Sequence, residues 1–85
     1  IETPGGDPNR QTGPRRNDGM SAMHLNVNRN KRSVTLDLKT AAGREAMLKL
    51  VESADVFVHS MRPAAAKRLG VDYETLRERN PRLIY

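Results

Sequence analysis

Two short polar stretches carry the residues best suited to chemistry in this chain. Lys39-Thr40 ends one apolar–polar alternation, and Ser60-Met61-Arg62 ends an apolar run further on. A helix start follows each, so backbone N–H groups and the positive end of a helix dipole would face the same edge. Lys67 and Arg68 follow within a turn or two and could add full charges. The combination suits a phosphate-bearing ligand, and so reads as half of an anion-binding site. Taken singly, each of these bases is more readily a surface residue.

Other reactive groups do not assemble into a mechanism. His24 and His59 are far apart, with no ligand spacing around them, and the chain has no cysteine, so no structural metal is indicated. His59 ends a buried apolar run without an acidic partner in sequence, which makes it a structural histidine before a general base. Asp37 and Asp55 border strands, Asp72 is placed to cap a helix, and Asp7 and Asp18 fall in a loop; none has a second carboxylate at a spacing that signals acid–base work. Gly5-Gly6-Asp7 is no dinucleotide fingerprint, since no helical pattern follows it, and there is no Gly-x-Ser-x-Gly elbow. From these residues an anion site follows, but no reaction.

The elements that must position these groups read as α/β. Ser33 to Leu38 alternates Val34, Leu36 and Leu38 with Ser33, Thr35 and Asp37, the period of a strand buried on one face. Thr40 is a good N-cap for a helix over Ala41 to Ala54, whose expected packing stripe is Ala42, Ala46, Leu50 and Ala54, with Met47 and Val51 beside it. Glu45 and Lys49 are spaced for an i,i+4 ion pair. Asp55 to His59 is nearly continuous in apolar residues, as a parallel strand covered on both faces would be. Pro63 to Leu69 is a short helix ending at Gly70, and Asp72 caps another over Tyr73 to Arg79, before Pro81. Leu83-Ile84-Tyr85 begins a further strand. The expected architecture is a Rossmann-like parallel sheet with flanking helices, with residues 33–85 as a right-handed βαβ core.

Residues 3–27 read differently. Positions 3 to 20 hold four glycines and three prolines and almost nothing apolar, a long surface loop. Met20 to Val27 is a short helix or an extended piece. Between Pro8 and Arg32 six bases face one acid, Asp18, an excess equal to the net charge of +5 carried by all 85 residues. Such a patch favours polyanions or phosphorylated ligands, or is simply a solvated loop. A nucleic-acid-binding module is the alternative from another class, but no stacking aromatics accompany the arginines. Aromatics are only 4% of the chain and apolar residues 36%, thin material for a core. No apolar run reaches membrane-span length and no signal-peptide pattern is present, so the expectation is a soluble, cytoplasmic protein. Ile1-Glu2 reads as the cut end of a strand, and the whole as a piece of a larger protein.

The order of residues then suggests a family. Ile-Glu-x-Pro-Gly-Gly-Asp-x-x-Arg, from Ile1, is followed by Asn28-Arg29-Asn30-Lys31-Arg32-Ser33-Val34-Thr35-Leu36-Asp37-Leu38-Lys39-Thr40 and by Gly43-Arg44-Glu45-Ala46. Ala54 to Val58, Met61-Arg62-Pro63, Arg68-Leu69-Gly70 and Asn80-Pro81-Arg82-Leu83-Ile84-Tyr85 continue the match. The chain resembles the class III CoA-transferases, which include formyl-CoA transferase, carnitine CoA-transferase and α-methylacyl-CoA racemase. The resemblance implies an interlocked homodimer with a Rossmann-like CoA-binding domain, to which residues 1–85 would belong. It implies an enzyme that takes acyl-CoA and a carboxylic acid acceptor and moves CoA between them through a covalent intermediate on an aspartate, or, in the racemase branch, epimerises an acyl-CoA. That aspartate would lie beyond Tyr85, so the 85 residues alone are expected to be inactive and no catalytic residue is assigned among them.

What the resemblance carries over is coenzyme A contact. Leu36 and Lys39 match positions where the strand end meets the adenosine-phosphate part of CoA, Ser60 and Met61 match positions lining the same site, and Arg68 matches a basic position reaching the phosphates. Asn28 to Ser33 becomes a structural, dimer-facing entry loop. The chain departs from formyl-CoA transferase-like members at His59-Ser60-Met61, where they have Glu-Asn-Phe, and at Thr3, where some carry an arginine.

Overall fold

The structure, a computed structural model, describes residues 1–85, which divide into two compact units, Ile1–Thr35 and Leu36–Tyr85. In the first unit the Gly/Pro-rich segment is held by its own polar groups. Gly6, at φ +78°, closes a turn onto the Thr3 carbonyl at 2.9 Å, and Asp7 caps a single 3-10 turn, Pro8–Gln11, by accepting from Asn9 N–H at 2.8 Å. The Glu2 carboxylate gathers the unit. It accepts Arg10 Nε and Nη2, each at 2.7 Å, Ser33 Oγ at 2.7 Å and Asp7 N–H at 3.0 Å. Four donors hold Glu2 far below the usual carboxylate range, Arg10 first among them.

Between Met20 and Val27 the helical alternative is realised, as α1, Ala22–Val27. Its N-cap, Ser21, is fully buried; its hydroxyl accepts His24 N–H at 3.0 Å and donates to the Asn9 carbonyl. At the C-terminal end Asn28 Nδ2 donates to His24 at both its carbonyl (3.0 Å) and Nδ1 (3.1 Å). The expected strand over Ser33 to Leu38 reduces to one parallel bridge, Glu2 with Thr35, made by Glu2 N–H to the Val34 carbonyl at 2.9 Å. The cause is local: Pro4 has no N–H to donate, and the Thr3–Gly6 turn takes the chain away before a ladder can form.

The second unit is built on helices. Thr40 Oγ accepts Gly43 N–H at 3.0 Å and opens α2, Ala41–Glu52, which ends at Ser53, short of the expected Ala54. The buried face is Gly43, Met47 and Val51; Met47 and Val51 of the expected stripe are buried, while Ala42 and Leu50 turn outward, Leu50 being 46% exposed. Gly43 sets that rotation. A Cβ there would stand 2.0 Å from the Asp37 carbonyl oxygen, so only glycine lets the first turn lie on that backbone. α3, Pro63–Leu69, ends at Gly70 with φ +70°, and α4, Tyr73–Arg79, is capped by Asp72, which accepts Thr75 N–H and Oγ1. Met47 and Val51 pack with Ala66, Val71 and Leu76 as the core, with Leu36, Leu38, Phe57, Met61 and Leu83 against it. A fully buried leucine such as Leu76 contributes about 1.5–3 kcal/mol.

Two sequence expectations fail in this unit. Asp55 to His59 pairs at a single parallel bridge, Val56 with Ile84, through Phe57 N–H to the Ile84 carbonyl (2.8 Å) and Ile84 N–H to the Asp55 carbonyl (2.9 Å). It is covered on one face only: Phe57 packs on the core while Val58 is 86% exposed, because the helices lie to one side. Glu45 pairs with Arg79 at 3.4 Å instead of Lys49, since α4 brings a guanidinium to the helix surface that also reaches Glu52 at 3.3 Å.

Candidate functional site

Lys39 stands at the turn before α2. Its N–H donates to Asp37 Oδ1 at 3.0 Å, and its carbonyl accepts from Arg44 at 3.5 Å, so the backbone is fixed while the ammonium is exposed and outside every ion pair. The Asp37 carboxylate beside it tempers the positive field. Leu36, immediately before that aspartate, is half-buried against the core.

The second edge is His59-Ser60-Met61. Met61 N–H donates to His59 Nδ1 at 3.0 Å, closing a turn in which Ser60 is exposed and Met61 packs on the core. That bond makes Nδ1 the unprotonated nitrogen, so in the neutral ring Nε2–H donates to Tyr85 Oη at 2.7 Å, and the Tyr85 hydroxyl donates to the Val71 carbonyl at 3.2 Å. Burial of the hydroxyl, with Asp72 nearby, raises the Tyr85 pKa. Its ring is also the hub of an aromatic cluster, with Phe57, His59 and Tyr73 centroids at 5.6, 5.1 and 5.7 Å. An open cleft of about 450 Å³ adjoins it, lined by His59, Pro63, Lys67, Asp72, Tyr73 and Tyr85 among others.

Arg68 lies in the last turn of α3, exposed and outside every ion pair. Of the five residues singled out from sequence, Ser60 and Met61 are joined through the His59 turn, and Leu36 and Met61 share the core. Lys39 and Arg68 share no hydrogen bond and remain two separate free cations. Missed altogether was the His59–Tyr85–Val71 chain; its signal was a histidine and a tyrosine ending two apolar runs. No group of three His, Asp or Glu side chains is placed to hold a metal, and no helix is long and apolar enough to cross a membrane.

Comparison with known proteins agrees along the whole chain. The sequence profile of CoA-transferase family III matches residues 1–85. The succinyl-CoA:mesaconate CoA-transferase of Haloarcula hispanica is 46% identical over 89 aligned positions, covering 100% of this chain and 22% of that enzyme. The acetyl-CoA:oxalate CoA-transferase of Acetobacter aceti is 45% identical, again over 100% of this chain and 22% of its own length. In three dimensions a CAIB/BAIF family protein from Brucella suis superposes with a TM-score of 0.90 at 40% identity, over 99% of this chain and 23% of that one. The chain thus spans under a quarter of the length of the relatives it matches, and it belongs to CoA-transferase family III.

Proposed function

We propose that these residues form part of the coenzyme-binding domain of an enzyme that moves CoA between carboxylic acids. The observation that carries this is family membership over the full chain, together with relatives that are CoA-transferases by name. Lys39 and Arg68 suit the role, since both present cations that no carboxylate of the chain neutralises. Leu36 and Met61 would offer apolar edges to the adenosine part and Ser60 a hydroxyl. The substrates of this reading are an acyl-CoA and a carboxylate acceptor, and the working form is a cytoplasmic homodimer with a Rossmann-like sheet. The nucleophilic aspartate of the covalent route is not assigned to any residue here, and the 85 residues alone would bind without turnover.

The basic loop of the first unit gives little support to nucleic acid as the ligand. Arg10 is committed to Glu2, Lys31 donates to Asn28 and Arg15 to the Gln11 carbonyl. The test is an exchange assay on the natural protein that carries these residues, with acyl-CoA and a free carboxylate. Transfer predicts a new acyl-CoA whose formation requires the acceptor. Exchange of the α-hydrogen with deuterated solvent, without need of an acceptor, would replace this reading with the racemase one.

A further inference from the structure

We propose that His59 is a positioning residue for the coenzyme edge, acting by holding the Ser60–Met61 turn in place; this rests on the reading of that edge as a CoA contact. Two hydrogen bonds fix the imidazole and a third anchors them: Met61 N–H donates to Nδ1 at 3.0 Å, Nε2–H donates to Tyr85 Oη at 2.7 Å, and the Tyr85 hydroxyl donates to the Val71 carbonyl at 3.2 Å. Val71 is 1% exposed and belongs to the core, so the chain of bonds ties the turn to the packed core of the unit. The ring further packs against Phe57 and Tyr85, with centroids 5.5 and 5.1 Å away.

The geometry makes His59 the acceptor of a local turn of the kind that asparagine or aspartate forms with the N–H two residues on. Ser60 is its middle residue, between two fixed neighbours, and its side chain is exposed. Without the Nδ1 acceptor the Met61 N–H would turn to water and Ser60 would lose its defined direction.

The two ring nitrogens can be replaced one at a time. Asparagine puts its Oδ1 where Nδ1 stands and keeps the turn; glutamine reaches Tyr85 but has no acceptor at the Nδ1 position. In the natural protein, His59→Gln is expected to weaken CoA binding by about tenfold and to speed hydrogen exchange at the Met61 amide. His59→Asn should keep both close to the parent. Tyr85→Phe, which keeps the ring but removes the hydroxyl, should also speed Met61 exchange. Equal exchange in His59→Gln and the parent overturns the proposal, as does equal weakening by His59→Asn and His59→Gln. If the parent itself fails to bind CoA, the proposed function falls, and the pattern of Met61 exchange still decides whether His59 holds the turn.

Discussion

Asn80 caps the far end of α2 through Val51: its Nδ2 donates to the Val51 carbonyl at 2.9 Å, and to that of Ala54 at 2.8 Å. Its Oδ1 accepts Arg82 N–H at 3.1 Å, and the residue is 8% exposed. One side chain therefore satisfies two carbonyls at the helix end and starts the Leu83–Tyr85 segment in the right place. This gives a physical meaning to the first residue of the Asn-Pro-Arg-Leu-Ile-Tyr ending. Asn80→Ala leaves the Ala54 carbonyl and Arg82 N–H without their partner, while the Val51 carbonyl keeps the Ala54 N–H at 3.1 Å, and should lower stability by about 2 kcal/mol. Asn80→Asp should cost more, because a carboxylate would face two carbonyl oxygens. Chemical denaturation of the three proteins checks the order.

Gly43→Ala should be more damaging than any helix propensity scale suggests. Alanine is the better helix former, yet its Cβ would stand 2.0 Å from the Asp37 carbonyl oxygen. The first turn of α2 must then move, at a cost of about 3 kcal/mol. A melting temperature equal to the parent's would show that this close approach is not required.

Arg79→Ala, in contrast, should matter little. Its partners Glu45 and Glu52 have half-exposed side chains at 3.4 and 3.3 Å, and water screens such pairs. The expected loss is below about 1 kcal/mol, and smaller still in high salt, by the same denaturation measurement.

The Glu2 carboxylate gives the first unit a pH dependence of known sign. Its pKa is depressed in the folded chain from an ordinary 4.5, so its contribution is fully present above pH 4.5 and is lost as the pH falls from there through the depressed value. The protection factor of the Asp7 N–H, which donates to that carboxylate, should fall as the solution is acidified below pH 4.5. In Glu2→Gln the acid-dependent part should vanish. An Asp7 amide equally protected at acid and neutral pH in the parent would contradict this.

The helices were legible because their signals are local. Thr40, Pro63, Gly70 and Asp72 each act within a turn of their own position, and α2, α3 and α4 begin where these residues place them. The strands were not, because a ladder needs a partner whose own chemistry decides. Val34 to Leu38 alternates well, but Pro4 and the Gly6 turn deny it a second bond. On α2 the Met47–Val51 part of the stripe was legible, but its centre lies nearer Gly43 than Ala42, because glycine carries no hydropathy signal and Gly43 is buried for the space it leaves. In the candidate site, Lys39 and Arg68 were visible as charge. His59 was seen only as a buried histidine, since its role depends on Tyr85, 26 residues further along.

We propose that Lys39 and Arg68 meet the phosphates of coenzyme A. Calorimetric titration of the natural protein with CoA tests it most directly, comparing the parent with Lys39→Ala, Arg68→Ala and the distant Arg79→Ala. A lost charge-assisted contact predicts roughly tenfold weaker binding for each of the first two and none for the third. Binding by Lys39→Ala and Arg68→Ala as tight as the parent's would contradict the assignment.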